Sequence, residues 1–215
     1  MPFASITPFT NCPVSPAEQL QVCPLGDSIT QGTNGGWKVP LFAAVKARRT
    51  NSDFVGYTPN ALLTPPVTNC GTGSCGFPGS SAASWKAAGV ATYVGVTPKP
   101  PDIFLVSLGT NDANNVQGGQ DVGAVVDQIV VLAPKAIVLV ATRPPQVANA
   151  STTINSEIKA QIALRRTRGY NVAIVDQFAN MTTADLLEDG VHPTPTGYQK
   201  MGQLWIASLL PYVKP

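Results

Sequence analysis

Histidine is nearly absent: His192 is the only one in 215 residues. Imidazole chemistry, if there is any, must run through that residue. A catalytic zinc site usually draws on several His or Cys ligands, and no such cluster is present, so no metal is expected. Charge is also scarce, at 12% of residues, about half the usual share. The net charge is only +2 and the cations are scattered, which excludes nucleic-acid binding. Only Arg165, Arg166 and Arg168 cluster, just before Gly169, where cations favour a helix C-terminus. No apolar run approaches the roughly twenty residues of a membrane span. The opening MPFASITPFTN lacks the basic and apolar regions of a signal peptide. There is no internal repeat, low-complexity tract or linker.

Cysteines number four. Cys70 and Cys75 bracket GTGS, a flexible turn that could bring them together, and Cys12 and Cys23 would then tie the N-terminal arm to the first strand. Four cysteines allow three pairings, and the sequence does not choose among them. Two disulfides and a polar, nearly neutral composition lean toward a secreted, mature chain.

Hydrophobic residues make up 44%, a globular composition. Residues 1–215 read as one domain, with 1–18 as an arm. Strand-like runs recur at 20–26, 52–57, 102–109, 135–142 and 171–177. The third and fourth are almost continuously apolar, as for strands buried on both faces. Helical spacing appears at Val122, Val125, Val126 and Ile129, and again at Ile154, Ile158 and Ile162. Residues 40–49 open on Pro40, and Tyr198, Met201, Trp205 and Leu209 mark a last helix. Strands alternating with helices predict a doubly wound, five-stranded parallel sheet with helices on both faces, an α/β/α sandwich of flavodoxin type. Ligands of such sheets bind beyond the carboxyl ends of the strands.

Two motifs fall at those ends. GDSIT follows the first strand and presents Ser28, while GTND follows the third and presents Asn111. A serine hydroxyl needs a base to become nucleophilic, and the base needs an orienting acid. The base can only be His192, in EDGVHPTPTGY. Asp189, three residues earlier with a glycine between, can fold back onto the ring; Asp185 and Glu188 are the other local acids. Donors for an oxyanion could come from the Ser28 N–H, the Asn111 amide and the GFPGSSAASW stretch.

GDSIT, GTND and DGVHP, in that order from Gln21 to Leu210, resemble the SGNH, or GDSL-type, hydrolase superfamily. DFVG at 53–56 and HPTPTGYQKMGQLW at 192–205 are most similar to its family 3 carbohydrate esterases, typified by acetyl xylan esterases. The resemblance implies Ser28 as nucleophile, His192 as base and Asp189 as its orienter. It also implies an oxyanion hole from Ser28, Asn111 and a backbone N–H in a second block. Relatives there resemble Gly-x-Ser-Gly, whereas this chain reads Gly79-Ser80-Ser81-Ala82. By register the donor is Ala82, with Gly79 as the second choice. A structural calcium is implied only by the resemblance, and no cofactor is required.

The expected function is a secreted, monomeric serine esterase that removes short acyl groups, most of all acetyl, from a polysaccharide such as xylan. Its partner is an acylated carbohydrate or other small ester, with neither nucleic acid nor membrane involved. The alternatives are a lipid esterase, a thioesterase or an acyltransferase on the same scaffold, and a non-catalytic glycan-binding protein. Arg143, after the fourth strand, is a weak candidate for substrate binding. Trp37 and Trp85 could stack on sugar but read better as core.

Overall fold

The computed structural model describes residues 14–59, 71–94, 99–148 and 150–215. The part of the arm at 1–13, with Cys12, and also Cys70 lie outside them. Strands β1 (Leu20–Gly26), β2 (Ser52–Phe54), β3 (Thr58–Pro59), β4 (Gly73–Gly76), β5 (Ile103–Ser107), β6 (Ile137–Ala141) and β7 (Val172–Val175) form one sheet. Helices are α1 (Ser28–Gln31), α2 (Lys38–Arg48), α3 (Ala82–Ala88), α4 (Val90–Val94), α5 (Val116–Leu132), α6 (Thr152–Thr167), α7 (Gln177–Asn180) and α8 (Pro195–Leu209).

The sheet is mostly parallel, and successive residues of its central strands feed two cores. Leu20, Val22, Ile103, Leu105, Ile137 and Leu139 pack on one face with Leu41 and Val45 of α2 and Met201, Trp205 and Leu209 of α8. Cys23, Leu25, Phe104, Val106, Val138 and Val140 pack on the other with Trp85 of α3, Val122, Val125 and Val126 of α5 and the isoleucines of α6. Apolar surface on both sides is why these strands read as unbroken hydrophobic runs.

The expected five parallel strands occupy five lanes, but the lane beside β1 is split. β2 pairs with Leu20–Val22 and β4 with Leu25 and Gly26, both in parallel. The break falls at Pro24. Val22 accepts from Val55 on this side and Gln21 from Asp102 on the β5 side. By alternation Pro24 faces the split lane, and it has no N–H to donate there. The expected strand at 52–57 therefore stops at Phe54, and the chain returns as β3, antiparallel to β4.

The cysteines also depart from expectation. Cys23 and Cys75 are free, buried thiols, not partners of Cys12 and Cys70. Neighbouring strands β1 and β4 bring their sulfurs to 3.7 Å of each other. The hydrogen bond to Cys75 and burial both push the Cys23 thiol up. Arg165 is more than a helix-end cation: it is buried and pairs with Asp127, tying α6 to α5. Trp37 and Trp85 are core, and Trp37 packs on Trp205 with ring centroids 5.1 Å apart.

Candidate active site

The parallel strands end at a common rim. At the end of β1, Gly26 passes so close to its neighbours that a Cβ would meet the Ser107 carbonyl and the Thr30 hydroxyl at 2.2 Å, so only glycine fits. Asp27 follows as N-cap of α1, its Oδ1 accepting the Ile29 N–H at 2.9 Å. Ser28 is the first residue of that helix, where its own N–H has no intrahelical acceptor.

His192 arrives from the loop that leads into α8. An antiparallel bridge between Leu186 and Pro193 closes this loop. The Leu187 N–H donates to the His192 carbonyl at 2.7 Å, and Gly190, at φ +69°, makes the turn. Within it Asp189 folds back, as its spacing predicted. Its Oδ1 accepts the N–H groups of Val191 and His192, each at 2.9 Å. Its Oδ2 lies 2.7 Å from Nδ1 of His192. That contact puts the imidazole proton on Nδ1 and leaves Nε2 as an acceptor. Nε2 is 2.8 Å from Oγ of Ser28. Hydroxyl, imidazole and carboxylate thus stand in line, across 164 residues of sequence.

The backbone N–H groups of His192 and Val191, and then the His192 ring, hold the Asp189 carboxyl down at about 2. Asp185, one of the two other local acids, pairs with Lys200 at 2.6 Å instead. Asp27 behaves oppositely. It is fully buried, its Oδ2 makes no hydrogen bond, and burial raises it to about 6 despite Thr110 and the Ile29 N–H.

Asn111 is exposed at the rim, and Nδ2 donates one hydrogen to the Ser80 carbonyl at 2.8 Å. Its second amide hydrogen is left for another acceptor. Ser80 is a junction, since its hydroxyl also donates to the Gly26 carbonyl and accepts from Trp85 Nε1. Ala82 does not fill its expected place. Its N–H donates to Asp112 Oδ2 at 2.8 Å, in the first turn of α3, and so has no hydrogen for a substrate. Gly79, the second choice, is exposed at φ +77° with open space about its Cα.

Arg143 is not a rim residue. It is buried, with Nε on the Ser151 hydroxyl and its other nitrogens on the carbonyls of Gly109, Asp112 and Ala150. It holds the GTND loop from behind. Asp112, which the sequence reading passed over, is the other half of that support. Neither residue carries a local signal of its role, because the contacts that join the two loops, Arg143 to Gly109 and Asp112, and Asp112 to Ala82, span about thirty residues of sequence. Among the described residues no three His, Cys, Asp or Glu side chains gather to hold a metal ion. No helix among them is long and apolar enough to cross a membrane.

Comparison with known proteins points the same way. The model of the GDSL-like Lipase/Acylhydrolase family matches residues 25–200. A multidomain esterase of Ruminococcus flavefaciens is 26% identical over 230 residues, covering 93% of this chain and 30% of that protein. The chain thus spans about a third of the length of that curated relative. A carbohydrate esterase family 3 structure from Talaromyces cellulolyticus superposes with a TM-score of 0.80 at 25% identity, covering 91% of this chain and 98% of that one. A family 3 carbohydrate esterase of Clostridium thermocellum, at 20% identity, gives 0.75 over 92% and 100% of the two chains and shares the fold.

Proposed function

As a member of the GDSL-like lipase/acylhydrolase family the chain is a carboxylic ester hydrolase, and we propose that it removes short acyl groups, acetyl above all, from a polysaccharide such as xylan. The observation that carries the mechanism is the run of contacts from Ser28 Oγ to His192 Nε2 at 2.8 Å and from Nδ1 to Asp189 at 2.7 Å. Ser28 attacks the ester carbonyl as His192 takes its proton. Asp189, ionised down to about pH 2, steadies the imidazolium that forms. The tetrahedral oxyanion is held by the Ser28 N–H and the Asn111 amide, with Gly79 as the remaining donor. His192 then protonates the departing alcohol. Water, deprotonated by the same ring, cleaves the acyl-enzyme and regenerates Ser28.

The substrate class is supported by the family 3 likeness at 25% identity and by a weakly charged, polar composition suited to an extracellular glycan enzyme. On this reading the protein works as a secreted monomer and needs no cofactor. Acetate release from acetylated xylan, set beside other acetylated glycans, tests it. Wild type should release acetate, and Ser28→Ala should lose roughly 10⁴-fold or more. No acetate from any glycan would overturn the substrate. Activity surviving in Ser28→Ala would overturn the mechanism.

A further inference from the structure

Asn111 and His192 stand on separate loops, one after β5 and one before α8. Catalysis needs a fixed gap between them, because oxyanion and proton transfer develop on one small group in one step. A third loop, which follows β6, touches both and holds each by one hydrogen bond. Gln146 Nε2 donates to the Thr110 carbonyl at 3.0 Å. The next residue, Val147, donates its N–H to the Gly190 carbonyl, also at 3.0 Å.

Each contact falls on a peptide plane that supports a reacting group. The Thr110 carbonyl belongs to the plane that leads into Asn111, so gripping that oxygen fixes the position from which the Asn111 side chain leaves. The Thr110 hydroxyl, in turn, bonds Asp27, the residue before Ser28. The Gly190 carbonyl belongs to the plane whose N–H, that of Val191, donates to Asp189 Oδ1 at 2.9 Å. A carbonyl that accepts a hydrogen bond polarises its own amide, so the Val147 contact strengthens the hold on the acid that orients the ring. The fit is close as well: a Cβ on Gly190 would meet that of Val147 at 2.8 Å.

The loop is itself tied at both ends. Arg143 binds the carbonyls of Gly109 and Ala150, and the Ser151 hydroxyl donates to the Pro144 carbonyl at 2.9 Å. The two donors thus project from a clamped span. Val147 is 67% exposed and Gln146 half-buried, so neither belongs to the core.

We propose that Gln146 and the Val147 N–H form a brace that sets the spacing between the Asn111 amide and the His192–Asp189 pair, with Gln146 as a positioning residue of the hydrolysis. The proposal rests on the roles given above to Ser28, Asn111 and His192.

Three variants of the full chain test it, with ethyl acetate as substrate. Met has the length of Gln without its donor. Gln146→Met should lower kcat about tenfold, leave KM within about twofold and lower the melting temperature by no more than about 3 °C. Gln146→Lys restores a donor and should regain most of the loss, read on the alkaline plateau of the pH profile. Val147→Pro removes the second donor. His192 is the only histidine, so its Nδ1 proton gives a single low-field NMR signal. That signal should shift or broaden in Val147→Pro, which frees the base loop, and stay in place in Gln146→Met, which frees only the Asn111 loop. An unchanged kcat in Gln146→Met would overturn the proposal. So would a Gln146→Lys enzyme no faster than Gln146→Met, or an Nδ1 signal indifferent to Val147→Pro. Should Val147→Pro not fold, the two Gln146 variants decide alone. Activity surviving in Ser28→Ala would remove the site and the brace together, whereas a dead Ser28→Ala beside an unimpaired Gln146→Met would remove the brace alone.

Discussion

Asp112 caps a helix that is not its own: its carboxylate accepts the Ala82 N–H at 2.8 Å and the Ala83 N–H at 3.3 Å, at the start of α3. The neighbouring Asn111 holds the Ser80 carbonyl, so the loop after β5 grips residues 80–83 with two successive side chains. Asp112→Ala should lower the melting temperature by about 2–4 °C, as expected for a lost cap of about 1 kcal/mol. Because Asn111 would then sit less well, kcat on short esters should fall about tenfold with KM little changed. Asp112→Asn, which keeps one acceptor, should recover part of both. Thermal melts and steady-state kinetics measure this.

Asn111 and Ala82 separate a substrate donor from a structural amide. Asn111→Ala should lower kcat by roughly 10²–10³. Ala82→Gly leaves the N–H on Asp112 and should cost only helix stability, about 0.5–1 kcal/mol. An unchanged kcat in Asn111→Ala would remove its amide from the oxyanion hole.

Asp27 and Asp189 make opposite contributions to stability in acid. Asp27 is raised to about 6 in the fold, above its ordinary 3.8, so its stabilising effect is present in acid and fades as the pH climbs through about 6. Above that the buried charge costs on the order of 3 kcal/mol, given 1.36 kcal/mol per pKa unit. Asp189 is lowered, so its contribution is present above pH 4 or so and is lost as pH falls through about 2. Asp27→Asn keeps the cap on Ile29 and should raise the melting temperature at pH 7 by several degrees, with the gain gone near pH 4. Melts across pH 4–8 check this.

Arg143 should act on stability and not on substrate affinity. Replacing it with Met strands the carbonyls of Gly109, Asp112 and Ala150 that its guanidinium now satisfies. The loss should be about 3 kcal/mol by denaturant unfolding, with KM close to wild type at low temperature.

The strands β1, β5, β6 and β7 were readable because each feeds two cores and so carries no polar face. The split lane was not. β2 is three residues long, and the first half of β4 falls within GTGS, which reads as a flexible turn. Pro24 was the available clue, a residue without a donor inside a central strand. Ser28, His192 and Asp189 were legible because only one imidazole exists and its acid is three residues off. Ala82 and Arg143 were misjudged for a shared reason. Both stand where the rim was expected, but their hydrogens go to groups 7 to 34 residues away that only the folded chain brings near. The cysteine pairing failed likewise, since spacing favoured Cys70 for Cys75 while the strand order delivers Cys23.

Asp189 and His192 are fastened to one another through backbone and ring alike, inside a loop of seven or so residues. Base and acid therefore travel as one piece, and among the described residues the hydrogen bond that joins that piece to α1 is Nε2 on the Ser28 hydroxyl. A small tilt of the loop would disarm the serine while leaving the imidazole fully oriented. The reverse tilt would rearm it with no side chain needing to find its rotamer again.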